Sequence, residues 1–238
     1  MKACQEPTGN ESRADSVLKI IPFFACLSDK EFKELRHKIK IERFNKNGVI
    51  LLEEQTPEFM YIVLSGKVKA VKINKDGRES ILAIHERGDF FGEMALLDGK
   101  TSPATVIAME ASDIGFLAKA DFNNYLFEKS VVLKAIIAML CSRLRETWST
   151  LKILKSADAE HRVRAMLGQI SSHYGKESRE GTLIQTRLTH EDIAHYASVS
   201  RETVTRLLDK FRKAGEMEIL DHRAILLKPG FFEKIRSL

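Results

Sequence analysis

Apolar positions along the chain follow two different periods, and the change between them divides it. After a polar opening, MKACQEPTGNESRADS, the stretch SDKEFKELRHKI reads as a short helix with Ser28 at its N-cap. The period then becomes two. YIVLSGKVKAVKI at 61–73 reads as two strands around Ser65-Gly66, and INKDGRESILAI at 73–84 as a further hairpin turning at Asp76-Gly77. TSPATVIAMEASDIGFLA at 101–118 adds more strands, so residues of about 40–120 predict an antiparallel barrel or jelly roll.

From Asp121 the pattern is helical for more than thirty residues. Leu133, Ile137, Leu140, Leu144, Thr147, Leu151 and Leu154 recur at alternating steps of four and three, the a/d spacing of a coiled-coil seam. That seam extends over about 32 Å at 1.5 Å per residue, more than a small barrel covers, and predicts a second copy of the chain as its partner. Thr147 is its one polar position. Past Leu154, Asp158 reads as the N-cap of a helix carrying Val163, Met166, Leu167 and Ile170 and ending at Gly175, which leaves 155–158 as a hinge and 175–182 as a polar loop.

The last segment carries the sharpest signal. Thr189 with Asp192 starts one helix and Ser200 with Thr203 a second, after the short break Ala197-Ser198-Val199; two helices so closely joined make a helix-turn-helix. At 100° per residue, Val204, Leu207, Leu208 and Phe211 gather on one side of the second helix and dock on the first through Ile193. Arg201, Glu202, Thr205 and Arg206 occupy an arc of about 140° on the other. Such an arc suits base edges in a major groove, where arginine forks to guanine O6 and N7 and glutamate accepts from cytosine N4. Arg187, Thr189 and Ser200, flanking it, fit phosphate contacts that set register. EMEILDHRAILL then reads as a hairpin, a wing beside the DNA backbone.

Composition narrows the rest. The 38 Lys+Arg against 33 Asp+Glu give a net charge of +5, a mild bias toward polyanions. Cys4, Cys26 and Cys141 lack any C-x-x-C spacing, which argues against a disulfide framework, a zinc site or an iron–sulfur cluster. Cupin-like barrels that act as enzymes hold a metal with two or three histidines; the barrel segment offers only His85, so no enzyme and no metal are expected. The opening has no apolar signal core, and AIIAML at 135–140 is far too short to span a bilayer, so the expected setting is the cytoplasm, with no membrane contact.

GDFFGEMALLDG at 88–99, the long helix, and SRETVTRLL at 200–208 together resemble the superfamily of the cyclic-AMP receptor protein and the fumarate/nitrate regulator, from about residue 17 to 238. The resemblance implies a mixed α+β chain. A flexible tail (1–16) precedes a cupin-like β-roll that senses an effector (17–120), a dimerisation helix (121–155) and a winged helix-turn-helix that binds double-stranded DNA (156–238). It further implies that residues matching Arg201, Glu202 and Arg206 read a palindromic TGTGA-type site, and that RNA polymerase is a partner of the regulator. Activation or repression then follows from where the operator lies relative to the promoter.

The effector cassette departs from that pattern. Gly92, Glu93 and Met94 match, and Glu93 matches the residue that holds the ribose hydroxyl. Where relatives that bind a cyclic nucleotide have Arg followed by Ser or Thr for the cyclic phosphate, this chain has Ser102 and Pro103. A fixed cation with its fork, a hydroxyl and a backbone N–H are all missing from one anion site. Thr147 matches a position near the adenine, and its neighbour Trp148 is an indole in the place of a small polar residue, able to fill the purine space or to pack between subunits. The expectation is an effector other than cyclic AMP, or activity without one. The alternatives are a cyclic nucleotide held by a non-standard phosphate site using Lys100, and a haem or redox sensor using His85 or Cys141. The missing N-terminal cysteine group argues against a cluster of the fumarate/nitrate type, and a lone strand histidine against haem.

Overall fold

The computed structural model describes residues 9–74, 79–185, 188–220 and 224–236. The chain divides into two compact units at Ser142/Arg143. The first opens with α1 (Gly9–Leu18), α2 (Pro22–Ala25) and α3 (Asp29–Lys38). The expected flexible tail does not extend to residue 16, because α1 packs Ala14, Val17 and Leu18 into the core; its polar residues hid an apolar face. Ser28 caps α3 as expected, in a reciprocal capping box with Glu31.

Eight strands follow: β1 (Lys40–Phe44), β2 (Val49–Leu51), β3 (Phe59–Ser65), β4 (Lys67–Ile73), β5 (Glu79–Glu86), β6 (Phe90–Phe91), β7 (Thr105–Ala108) and β8 (Ser112–Ala118), with a short helix α4 (Glu93–Asp98) between β6 and β7. They form two four-stranded sheets, β1-β8-β3-β6 and β2-β7-β4-β5. Tyr61, Val63, Phe91 and Ile114 from one sheet meet Leu51, Val68, Ala70 and Val106 from the other in a shared core. Met60, Ile62, Leu64 and Leu117, on the opposite face of the first sheet, pack under the helices. β3 is therefore buried on both faces, which is why its run FMYIVL does not alternate with polar residues.

The two strands around Ser65-Gly66 exist, but they are not a hairpin: β3 pairs with β8 and β6, while β4 pairs with β5 and β7. Gly66 turns the corner between sheets at φ +79°, where a Cβ would meet Ser112 Oγ at 2.3 Å. β4 and β5 do form the second hairpin, and its expected turn at Asp76-Gly77 lies outside the described residues.

The long helix is shorter at its start than the pattern from Asp121 implied. α5 (Lys119–Phe122) runs into a π-helical turn (Asn123–Phe127), and only then does α6 (Ser130–Leu154) begin. Val132 and Ile136 are buried in the first unit's core, with Met139 and Leu140 packed against it. The boundary between the two units falls within this helix.

The second unit contains α7 (Ala159–Tyr174), β9 (Gly175–Ser178), β10 (Gly181–Ile184), α8 (His190–Ala197), α9 (Arg201–Lys213), β11 (Met217–Ile219), β12 (Ile225–Leu227) and α10 (Pro229–Arg236). Residues 175–182 are not a loop: Gly175–Ser178 and Gly181–Ile184 pair as a hairpin. Together with β11 and β12, the expected wing, they make one sheet in the order β11-β12-β10-β9. Polar residues on an edge strand gave β9 a loop-like sequence. Phe231 of α10, fully buried, closes the core against Phe211 of α9, ring centroids 5.5 Å apart.

Candidate nucleic-acid interface

The recognition surface is built from caps inward. Thr189 caps α8: its hydroxyl accepts from the Asp192 N–H at 3.0 Å and donates to the Asp192 carboxylate at 2.7 Å. Ser198 at φ 50°, ψ 52° ends α8 in the left-handed conformation, and Ser200 starts α9 by accepting from the Thr203 N–H at 3.2 Å. Thr189 and Ser200, expected at phosphates, thus have capping duties. Arg187, expected there too, lies outside the described residues.

The fully buried face of α9 (Val204, Leu208 and Phe211, with Leu207 beside them) and buried Ile193 of α8 lock the two helices together. The opposite face presents Arg201, Glu202, Thr205 and Arg206, all exposed. These four line one open groove with Asp209, Lys210 and Lys213. The last three escaped sequence reasoning although their spacing, three to seven residues beyond Arg206, continues the same face. Glu202 is held ionised: a hydrogen bond from its own backbone N–H and one from Ser200 put its carboxyl below the usual range, with Arg201 adding charge. It is therefore an acceptor, the form that meets an amino group.

α9 is braced from behind by charges the sequence did not reveal. Glu160, at the start of α7, takes Lys210 Nζ at 2.5 Å and Arg164 Nη2 at 3.2 Å; the Lys210 bond leads in holding its carboxyl low. Asp158, the expected hinge residue, caps α7 by accepting from the N–H groups of Glu160 and His161. Arg162 donates to the Ser156 carbonyl at 2.6 Å and to the Ala197 carbonyl at 3.1 Å. One guanidinium thus ties the segment between α6 and α7 to the turn of the helix-turn-helix.

In the first unit, Gly92 enters α4 at φ +81°, with Tyr61 Cδ2 2.8 Å from where a Cβ would stand. Glu93 is buried; Met94, Lys100 and Pro103 are exposed. Ser102 is buried and turned onto its own loop: its hydroxyl donates to the Ala104 carbonyl at 2.8 Å. Its N–H donates to Gln55 O at 2.7 Å, and its carbonyl accepts from Glu54 N–H at 3.0 Å. At this place in the cassette Ser102 brings no cation and points its donor inward, and Pro103 has no N–H. His85 is buried and stacked on Phe91, centroids 5.6 Å apart, as a core side chain; Cys141 is exposed. Among the described residues no group of three or more His, Cys, Asp or Glu is arranged to hold a metal, and no helix is long and apolar enough to cross a membrane.

In the second unit, Thr147 is exposed and donates back to the Arg143 carbonyl at 2.8 Å, and Trp148 is 61% exposed. The seam positions separate by burial. Ile137, Leu144 and Leu151 are 50–59% exposed, whereas Leu133, Leu140 and Leu154 are half-buried.

Two domain families match this chain: the cyclic nucleotide-binding domain over residues 41–129 and the Crp-like helix-turn-helix domain over 161–231. A "CRP-like cAMP-activated global transcriptional regulator" of Mycobacterium tuberculosis is 27% identical over 215 residues, covering 90% of this chain and 95% of the relative. An "Anaerobic regulatory protein" of Bacillus subtilis is 25% identical over 214 residues, 88% of this chain and 89% of the relative. The structure of FixK2 from Bradyrhizobium japonicum superposes with a TM-score of 0.73 at 22% identity, over 84% of this chain and 96% of that one, a likeness of fold. The chain belongs to the superfamily of the cyclic-AMP receptor protein and the fumarate/nitrate regulator, and it is a DNA-binding transcriptional regulator rather than an enzyme.

Proposed function

We propose that this regulator works as a homodimer that reads a palindromic TGTGA-type operator without cyclic AMP, either with another effector or with none. The observation that carries the reading is the exposed arc Arg201, Glu202, Thr205 and Arg206 at the N-terminal end of α9, the part of a recognition helix that enters the major groove. Arg206 and Arg201 fork to guanines, and ionised Glu202 takes a cytosine amino group. Phosphate contacts from Arg187 and from the caps at Thr189 and Ser200 set the register.

Dimerisation is supported by the apolar stripe of Ile137, Leu144 and Leu151, which the single chain leaves open beside the stripe that packs on the first unit's core. Trp148 fits the same interface. Independence from cyclic AMP is supported by the inward-turned Ser102 and by Pro103. Of the two relatives named above, one is called cAMP-activated and the other an anaerobic regulator, so relatives of similar identity differ in the signal their names give and the reading rests on the cassette itself. The cytoplasm and RNA polymerase are the setting and partner that such a role requires.

The test is fluorescence anisotropy at stated salt, with no added effector, on a duplex carrying an inverted TGTGA repeat and on one with scrambled arms. We expect a preference on the order of a thousandfold or more, the usual gap between specific and non-specific binding. A preference that emerges only on adding cyclic AMP would overturn the effector assignment. Equal affinity for both duplexes would overturn effector-free reading of the operator and leave only the branch that requires another effector.

A further inference from the structure

Thr205 belongs to the base-reading arc, yet its hydroxyl is already engaged by the protein. Oγ1 lies 3.0 Å from the carbonyl of Arg201, one turn back along α9, and 2.8 Å from Nδ1 of His190, the first residue of α8. A carbonyl oxygen only accepts, so the single hydroxyl hydrogen points to Arg201. The imidazole must then supply the hydrogen of the second bond, which sets His190 with Nδ1 protonated and makes Thr205 Oγ1 its acceptor. Two helices thus hold one hydroxyl from two sides.

An unheld threonine hydroxyl is a poor discriminator. It donates to guanine N7 or O6 or to thymine O4, and accepts from adenine or cytosine amino groups, by rotating one bond. Here the donor is spent, one acceptor position is filled, and turning Oγ1 toward the bases would break two bonds at once. The group left to meet DNA on this exposed residue is the Cγ2 methyl, whose complement in the major groove is the C5-methyl of thymine. We infer that Thr205 reads a thymine through a methyl–methyl contact, and that His190 is the positioning residue that keeps its hydroxyl out of the readout. His190 does so from the neighbouring helix without belonging to the arc itself.

The inference rests on the proposed duplex reading, and its test separates the two. A preferred operator is selected with the full-length protein, and each thymine of one half-site is replaced in turn by deoxyuridine, which lacks only the methyl. Wild-type protein should lose about fourfold in affinity at one thymine, the worth of one buried methyl group, and little at the rest. Placing 5-methylcytosine there should bind better than cytosine. Thr205→Val, which keeps the methyl and drops the hydroxyl, should retain the uracil penalty, and Thr205→Ser, which does the reverse, should lose it. His190→Ala should narrow the preference for thymine over the other bases at that position while leaving the guanine preferences in place. A flat uracil series on a clearly preferred operator, or a penalty that survives Thr205→Ser, would overturn this inference and leave the duplex reading standing. A selection that enriches no sequence would overturn both.

Discussion

The guanidinium of Arg164 donates to the carboxylate of Glu216 at 2.6 Å inside the winged-helix core, where the two side chains are 2% and 8% exposed. Arg164 also lies over the rings of Phe211 and Phe231, at 4.1 and 4.7 Å from their centroids. Burial on its own would raise the Glu216 carboxyl, but bonds from Lys234 and Arg164 outweigh it and hold the group below the usual range. The pair joins α7 to the start of the wing, with the recognition helix between them.

Removing one partner leaves the other charge buried. Arg164→Met should therefore destabilise the second unit by about 3–5 kcal/mol, read from denaturant unfolding followed by circular dichroism. The double variant Arg164→Met/Glu216→Gln should cost less than the two single changes added, by about 1–3 kcal/mol. Strict additivity would show that the two charges do not depend on each other.

The open stripe on α6 makes a prediction about mass. Leu144 and Leu151 are each 50% exposed in the single chain, so aspartate at both positions should leave each unit folded. In the dimer they would bury four charges against apolar neighbours. Sedimentation should find the wild type at twice the chain mass and Leu144→Asp/Leu151→Asp at the chain mass, with a matching loss of affinity for a two-armed operator. An unchanged mass would move the interface elsewhere.

Acid stability should carry the mark of Glu31. A hydrogen bond from Lys129 leads, followed by bonds from Ser28, in lowering its carboxyl from 4.5 to about 2. A carboxyl depressed in the folded chain stabilises above its unfolded value and loses that contribution as pH falls through the folded one. The advantage of wild type over Glu31→Gln should thus be full above pH 4.5 and shrink to nothing near pH 2. Because the side chains are accessible, molar salt should reduce the difference; a gap independent of both pH and salt would assign it to packing.

At the cassette, calorimetry should show no micromolar binding of cyclic AMP to the wild type. Each lost charged hydrogen bond weakens such a ligand by about 10- to 150-fold. Ser102→Arg with Pro103→Ser should gain affinity, whereas Lys100→Ala should change nothing. Binding to the wild type that Lys100→Ala abolishes would make Lys100 the phosphate cation.

What could be read in advance follows from which interactions are local. The capping box at Thr189, the N-caps at Ser28, Asp158 and Ser200, and the apolar stripe of α9 are decided within four to eight residues, and each appears in the structure where its spacing placed it. The sheet partners of β3 and β4 are not local: their strands were legible, but Gly66 turns a corner between sheets rather than a hairpin, and β3 pairs with β6 and β8, which lie far along the chain. β9 was missed because an edge strand needs few apolar residues. α10 was missed because eight residues give too short a period. In the recognition surface, the arc was visible from angles alone. The hold of His190 on Thr205, the brace from Glu160 and the tie made by Arg162 join residues 15 to 50 apart, which no spacing rule anticipates.

The most direct measurement is selection of bound duplexes from a random pool by untreated protein, in parallel with Arg206→Ala. The wild-type pool should converge on an inverted repeat with TGTGA-type arms centred about one helical turn, roughly 34 Å, apart, and the variant pool should lose one guanine from each arm while keeping the remaining positions. Enriched sequences without two-fold symmetry, or the same guanines retained by Arg206→Ala, would contradict the account.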